Sequence, residues 1–123
     1  MITLKTLEHA TSQQVFDQIV NHLRKQGKPS MDKRGNVCLY RGPNGLKCAA
    51  GCLIADDEYI PDMDYNPEND TTWGHLIDLG IVPPHFSEPI IHMQHLHDGE
   101  RPEDWESEFE KAAQTFNLEY KKP

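Results

Sequence analysis

No lysine or arginine occurs between Cys48 and Glu100, a stretch that holds eleven acids. That absence excludes broad, sequence-independent binding of nucleic acid by this part of the chain, because such binding rests on cations that neutralise phosphates. Long apolar runs are also missing. None approaches the roughly 20 residues needed to cross a bilayer as a helix, so no membrane-spanning helix is expected. Cysteine is scarce: there are three, an odd number that cannot pair completely within one chain. The opening residues Met1-Ile2-Thr3-Leu4-Lys5 lack the basic stretch and apolar core of a signal peptide. Reduced thiols in a cytoplasm are therefore the expectation. No internal repeat, low-complexity segment or G-x-x-x-x-G-K-[ST] phosphate loop is visible.

What is present is a chain of 123 residues with a formal net charge of −8, long enough for one domain with a real core. The charge is segregated. Residues 1–47 carry eight Lys/Arg against three acids, whereas residues 101–123 carry four against six. A local basic patch on the first third is compatible with this, as are solvated charges facing water.

Periodicity places the elements. Thr11 with Gln14 three residues on has the form of a capping box. Val15, Phe16, Ile19, Val20 and Leu23 then form one helical face, and Arg24, Lys25 and Gly27 mark its end, predicting a helix over 12–26. Val37–Tyr40 reads as a strand, Arg41-Gly42-Pro43-Asn44-Gly45 as turn chemistry and Leu46-Lys47 as a returning strand. Cys48–Ile54, rich in small residues, reads as a short packed helix, so the hairpin and short helix fill 37–54. An acidic loop follows over 55–70, with Pro61 and Pro67 as breakers. Helices are predicted within 71–117: one capped by Asp70, Thr71 or Thr72 and running through Trp73, Leu76 and Ile77; one starting at Ser87 with Pro89 just inside; one carrying Trp105, Phe109, Ala112, Ala113 and Phe116. Residues 118–120 add an edge strand or fray. The expected fold is α+β, mainly α, with four to five short helices packed with one small β-hairpin in a single compact domain, 1–123.

The chemistry-bearing residues cluster around 38–59. A glycine-rich turn entering a helix presents free N–H groups to an anion. With Arg41 and Lys47 it makes a candidate phosphate site of Tyr40, Arg41, Gly45, Lys47, Cys48, Tyr59 and Trp73, the aromatic rings stacking on or covering a ligand. Two alternatives stay open. Cys48 at a helix N-terminus has the setting of an activated thiol, with His97 as base and Asp98 as its orienting carboxylate. Cys48 and Cys52 share a helix face, and with Cys38 and a histidine from His92, His95 or His97 they offer a thiolate–imidazole metal set. His92 and His95 lie one turn apart. The acids Asp56, Asp57, Glu58, Asp62, Asp64, Glu68 and Asp70 lack the spacing of a calcium loop, and suit either water or a basic partner.

The block Tyr40-Arg41-Gly42-Pro43-Asn44-Gly45-Leu46-Lys47-Cys48-Ala49-Ala50-Gly51-Cys52-Leu53-Ile54-Ala55-Asp56-Asp57-Glu58-Tyr59, with His97-Asp98 and a helix bearing Trp105, resembles a group of small uncharacterised bacteriophage and prophage proteins. The likeness covers most of residues 12–117. It carries no catalytic residues over; it implies an accessory role in a bacterial host cytoplasm. The expected function is that of a non-catalytic binder, without cofactor, that inhibits or modulates a host defence system. Its sharper form captures a phosphate-bearing nucleotide signal. The alternatives are an acidic inhibitor docking on a basic host protein surface and a small Cys/His or metal-dependent hydrolase. A homo-oligomer is compatible with each.

Overall fold

A computed structural model describes residues 1–66 and 71–123. Four α-helices dominate it: α1 (Ser12–Gln26), α2 (Trp73–Asp78), α3 (Ser87–Gly99) and α4 (Trp105–Thr115). The helix over 12–26 forms as its sequence predicts. Thr11 Oγ1 accepts the Gln14 amide, and the Gln14 side chain accepts the Thr11 amide. At the other end Gly27 takes φ 72° and donates to the Leu23 carbonyl. Such reciprocal capping satisfies donors that a bare helix end leaves open.

α3 is the central element. It packs against α1, α2, α4 and the 50–53 turn. Neighbours on several sides explain why Ile90, Met93, Leu96 and His97 are all buried although the helix has no single clean apolar stripe. Thr72 caps α2 by accepting the His75 amide. Before α3, Phe86 rather than Ser87 is the capping residue, at φ 59°, with its ring packed on the core. α4 buries Trp105, Phe109, Ala112 and Ala113, as expected, whereas Phe116, expected on the same face, is the C-capping residue and half-buried.

Both ends of the chain are tied down by side chains. Gln18 both accepts the Ile2 amide and donates to the Ile2 carbonyl. Glu58 accepts the amides of Leu4, Lys5 and Ala55 at 2.8–3.0 Å. The C-terminal segment neither adds a strand nor hangs free. Gln13 pairs with the backbone of Glu119, Tyr120 donates to Glu106, and Arg24 bridges Glu106 and the Lys121 carbonyl.

The β-hairpin expected over 37–47 is absent, so the described residues are mainly α without a sheet rather than α+β. Among the described residues the β pairing is one antiparallel bridge, Met31 to Cys38. The amides of Tyr40 and Arg41 go instead to the Asp64 carboxylate, at 2.8 and 3.1 Å. Pro43–Gly45 closes as a 3-10 turn with Asn44 and Gly45 at positive φ, and the Gly42 amide donates to the Leu46 carbonyl. The short helix expected over 48–54 is a single 3-10 turn, Ala50–Leu53. Its Gly51 is required by contact: a Cβ there would lie 2.5 Å from the Tyr40 carbonyl oxygen. Pro67, Glu68 and Asp70, read from sequence as a breaker, a loop acid and a cap, lie outside the described residues. No helix among the described residues is long and apolar enough to cross a membrane.

Two tests follow from this packing. Gly51→Ala is expected to destabilise the chain by about 1–3 kcal/mol through overpacking against a backbone oxygen, read as a lower urea midpoint. Burial pushes the Glu58 carboxyl up, but the amides of Ala55, Leu4 and Lys5 outweigh it and hold its pKa below the ordinary value. A carboxylate depressed in the folded state contributes stability above its unfolded pKa of about 4.3 and loses it as pH falls through the folded value. The urea midpoint is therefore expected to drop on acidification below about pH 4.3, and Glu58→Gln to flatten that drop.

Candidate functional site

Three backbone elements converge on one cleft. Residues 38–40 run beside Ser30, whose carbonyl accepts the Leu39 amide while its hydroxyl donates to the Leu39 carbonyl. The start of α2 supplies Thr72, Trp73 and Gly74, and α3 supplies Ile91, Gln94, His95 and Asp98 from one face. With Cys38, Tyr40, Cys48 and Thr71 they line a cavity of about 320 Å³. The Tyr40 hydroxyl donates to the Thr71 carbonyl at 2.6 Å, fixing its ring 6.1 Å from that of Trp73.

Asp98 is the polar centre of the cleft. Its Oδ1 accepts from His97 Nδ1 and from Gln94 Nε2, each at 2.8 Å. Gln94 is itself held by the Ala50 amide on its Oε1. His97 is buried and stacks on Trp105 with ring centroids 6.0 Å apart. Its Nε2 accepts the Ser30 amide at 2.9 Å. A backbone N–H only donates, so Nε2 carries the lone pair and Nδ1 the proton.

This tautomer bears on two alternatives. Cys38, His97 and Asp98 bring one ligand atom each within 4.8 Å of one another. A metal on His97 Nδ1 would move the ring proton to Nε2 and set it against the Ser30 N–H. Metal-bound histidines donate their second N–H to an acceptor, so the partner here has the wrong polarity. The set Cys38, Cys48, Cys52, His92 and His95 does not assemble. Cys52 donates to the Ala49 carbonyl and lines a separate groove along α1, while His92 sits edge-on to Phe116 at 5.3 Å. Only Cys38, Cys48 and the exposed His95 of that set share the cleft.

The thiols are not activated. Burial pushes Cys48 well up, and its Sγ accepts the Gly51 amide. Burial and the Asp98 carboxylate push Cys38 up to about 12, and burial brings Cys52 to about 12. His97 has both ring nitrogens engaged, by Ser30 and Asp98, so the Cys48–His97–Asp98 arrangement holds no free base beside its thiol.

The seven ligand residues expected from sequence divide. Tyr40, Cys48 and Trp73 meet in the cleft. Arg41 does not line this cleft; it borders a separate groove with Lys33 and Arg34. Its guanidinium donates to the carbonyls of Tyr40, Gly51 and Ile54 and to Asp56, and lies 5.2 Å from the Tyr59 ring centroid. Tyr59 in turn donates to Asp64. The Lys47 backbone is tied to α1 through His22 and Gln26, and Gly45 sits in the exposed turn. Gln94 and the pairing of Cys38 with Asp98 escaped the sequence reading. The spacing of Gln94 and Asp98 at i and i+4 was its one visible signal.

Comparison of the chain with protein-family models, curated proteins and solved structures finds no match. Function is therefore argued from the cleft itself.

Two measurements check the chemistry described. Alkylation of Cys38 by iodoacetamide in the native protein at pH 8 is expected to run about a thousandfold slower than in the urea-unfolded chain, following the thiolate fraction. Equimolar zinc is expected to leave the thermal midpoint unchanged, whereas a metal seated at Cys38, His97 and Asp98 would raise it.

Proposed function

We propose that this chain is a non-catalytic binding protein, a phage-type accessory protein that modulates a host system in the bacterial cytoplasm by holding a small ligand in the Tyr40–Trp73 cleft. The observation that carries this reading is the cleft itself: about 320 Å³, walled by two aromatic rings and by Ile91, with Asp98 and Gln94 fixed on one side. Its volume and mixed lining fall within the ordinary range for ligand sites. Protonated thiols and an engaged His97 favour binding over turnover. The phosphate-capture form loses its main cation, because the Arg41 guanidinium is committed to backbone carbonyls. The accessory role itself rests on the resemblance of the 40–59 block to phage and prophage proteins.

A second reading, docking on a basic host protein, is favoured by the exposed acids. Asp62, Asp78, Glu88 and Glu100 are exposed and form no salt bridge among the described residues.

Native mass spectrometry of protein purified from bacterial cytosol tests the first reading. A retained small-molecule mass is expected, and Gly74→Met is expected to remove it. A Cβ at Gly74 meets only Ile91 Cδ1, at 3.9 Å, an ordinary contact, and the thermal midpoint of Gly74→Met reads whether the fold is kept. Bare wild-type protein, with a host protein captured only at low salt, would favour the second reading.

A further inference from the structure

We infer that the cleft takes a flat nitrogen heterocycle of nucleobase type, held between the Trp73 indole N–H and the Asp98 carboxylate, and that it does not read phosphate. The inference rests on the cleft being the ligand site and names the chemistry that fits it.

Trp73 is 2% exposed and lines the cleft, and its buried Nε1–H has no hydrogen-bond partner among the described residues. A buried donor without an acceptor is rare in folded proteins and marks this N–H as a candidate donor to a ligand. Asp98 is the complementary feature. Gln94 and His97 both bind its Oδ1, so the carboxylate is fixed in place while 38% of the side chain stays open to solvent. Asp98 lines the cleft, and the Cys38 thiol hydrogen-bonds its carboxylate. An ionised carboxylate only accepts, and an indole N–H only donates. A ligand satisfying both must present an acceptor and an N–H donor.

Shape narrows the class further. The rings of Tyr40 and Trp73, tilted 55° to one another, make an aromatic wall, with Ile91 among the other lining residues. Base–aromatic contact of this kind is favourable and tolerant of base identity. A volume of about 320 Å³ lies at the small end of ligand cavities, which suits a base or nucleoside. Two rival chemistries fit less well. An ammonium or guanidinium group would satisfy Asp98 but, having no acceptor, would leave the indole N–H unpaired. A phosphate would meet no lysine or arginine on the cleft wall and would face Asp98.

The test follows the Trp73 indole resonance in ¹H–¹⁵N correlation spectra, assigned with Trp73→Phe. Adenosine, guanosine, cytidine and uridine are titrated in turn, each beside its 5′-monophosphate, with agmatine and inorganic phosphate as the cationic and anionic probes. At least one nucleoside is expected to move the Trp73 indole proton downfield saturably and leave that of Trp105 in place. Its monophosphate is expected to bind within about twofold of it, since no cation waits for the phosphate. Asp98→Asn keeps an oxygen acceptor for His97 and Gln94 but turns the other position into a donor. It is expected to weaken the nucleoside about tenfold or more without moving the thermal midpoint appreciably. Trp73→Phe, which keeps the ring and removes the donor, is expected to weaken it as well.

Agmatine binding without any nucleoside response would overturn the inference, as would displacement by inorganic phosphate or unchanged affinity in Asp98→Asn. If no probe moves the cleft while cytosol-purified protein still carries a mass that Gly74→Met removes, the heterocycle assignment falls and the cleft stands as the ligand site. If that mass survives Gly74→Met, the cleft reading falls with it.

Discussion

The Arg41 guanidinium is the interaction around which the middle of the chain is built. It binds the carbonyls of Tyr40, Gly51 and Ile54, reaches Asp56 and lies over Tyr59. Asp64 completes the clamp from the other side by accepting the amides of Tyr40 and Arg41 and the hydroxyl of Tyr59. These charge-assisted bonds satisfy backbone groups that a hairpin would otherwise pair, and they are stronger than neutral ones. The clamp also presses the Tyr40 backbone onto Gly51, in a contact that admits no side chain at position 51. With its backbone held, Tyr40 turns its ring toward Trp73, and the aromatic wall of the cleft follows.

The second organising chain of bonds runs from Ser30 through His97 to Asp98 and Gln94, ending at the Ala50 amide. It is continuous from the loop before Cys38 to the turn after Cys48, and it crosses α3 on the way. One donor-only group at its head, the Ser30 amide, fixes the tautomer of His97 and orients Asp98. The same residues that look like parts of a hydrolase or a metal centre thereby become scaffold. A thiol beside a carboxylate in a half-buried setting is held protonated, and an imidazole between an amide and a carboxylate has no nitrogen left for chemistry. Beside the cleft lie the Asp98 carboxylate and a buried indole N–H without a partner among the described residues.

The helices were largely legible because their signals are local. The capping box at Thr11 and Gln14, the stop at Gly27, the cap at Thr72 and the apolar spacing of Trp105, Phe109, Ala112 and Ala113 each follow from residues within one or two turns. The 37–54 region misled for the same reason. Its turn residues and short apolar run satisfy the local pattern of a hairpin, yet the deciding partners, Asp64 for Tyr40 and Gly51 for Arg41, lie 24 and 10 residues away. Of the seven ligand residues expected from sequence, Tyr40, Cys48 and Trp73 line the cleft, while Arg41, Gly45, Lys47 and Tyr59 lie outside its lining; Asp98 was visible only as part of the catalytic alternative. Cations near a glycine-rich turn look alike whether they face a ligand or the protein's own carbonyls.

The sequence alone determined the helical character of the chain, the absence of a helix able to cross a membrane and the separation of acids from cations, since these depend on composition and short-range periodicity. Tertiary structure decided the rest. It turned Arg41 inward, onto the carbonyls of Tyr40, Gly51 and Ile54. It set Nε2 of His97 against an amide 67 residues away, which settled the tautomer and with it the role of Asp98. It also brought Trp73 to a cleft where its indole N–H finds no acceptor among the described residues. Each of these is a pairing across distance, and hydrogen-bond polarity between distant groups leaves no trace in local sequence.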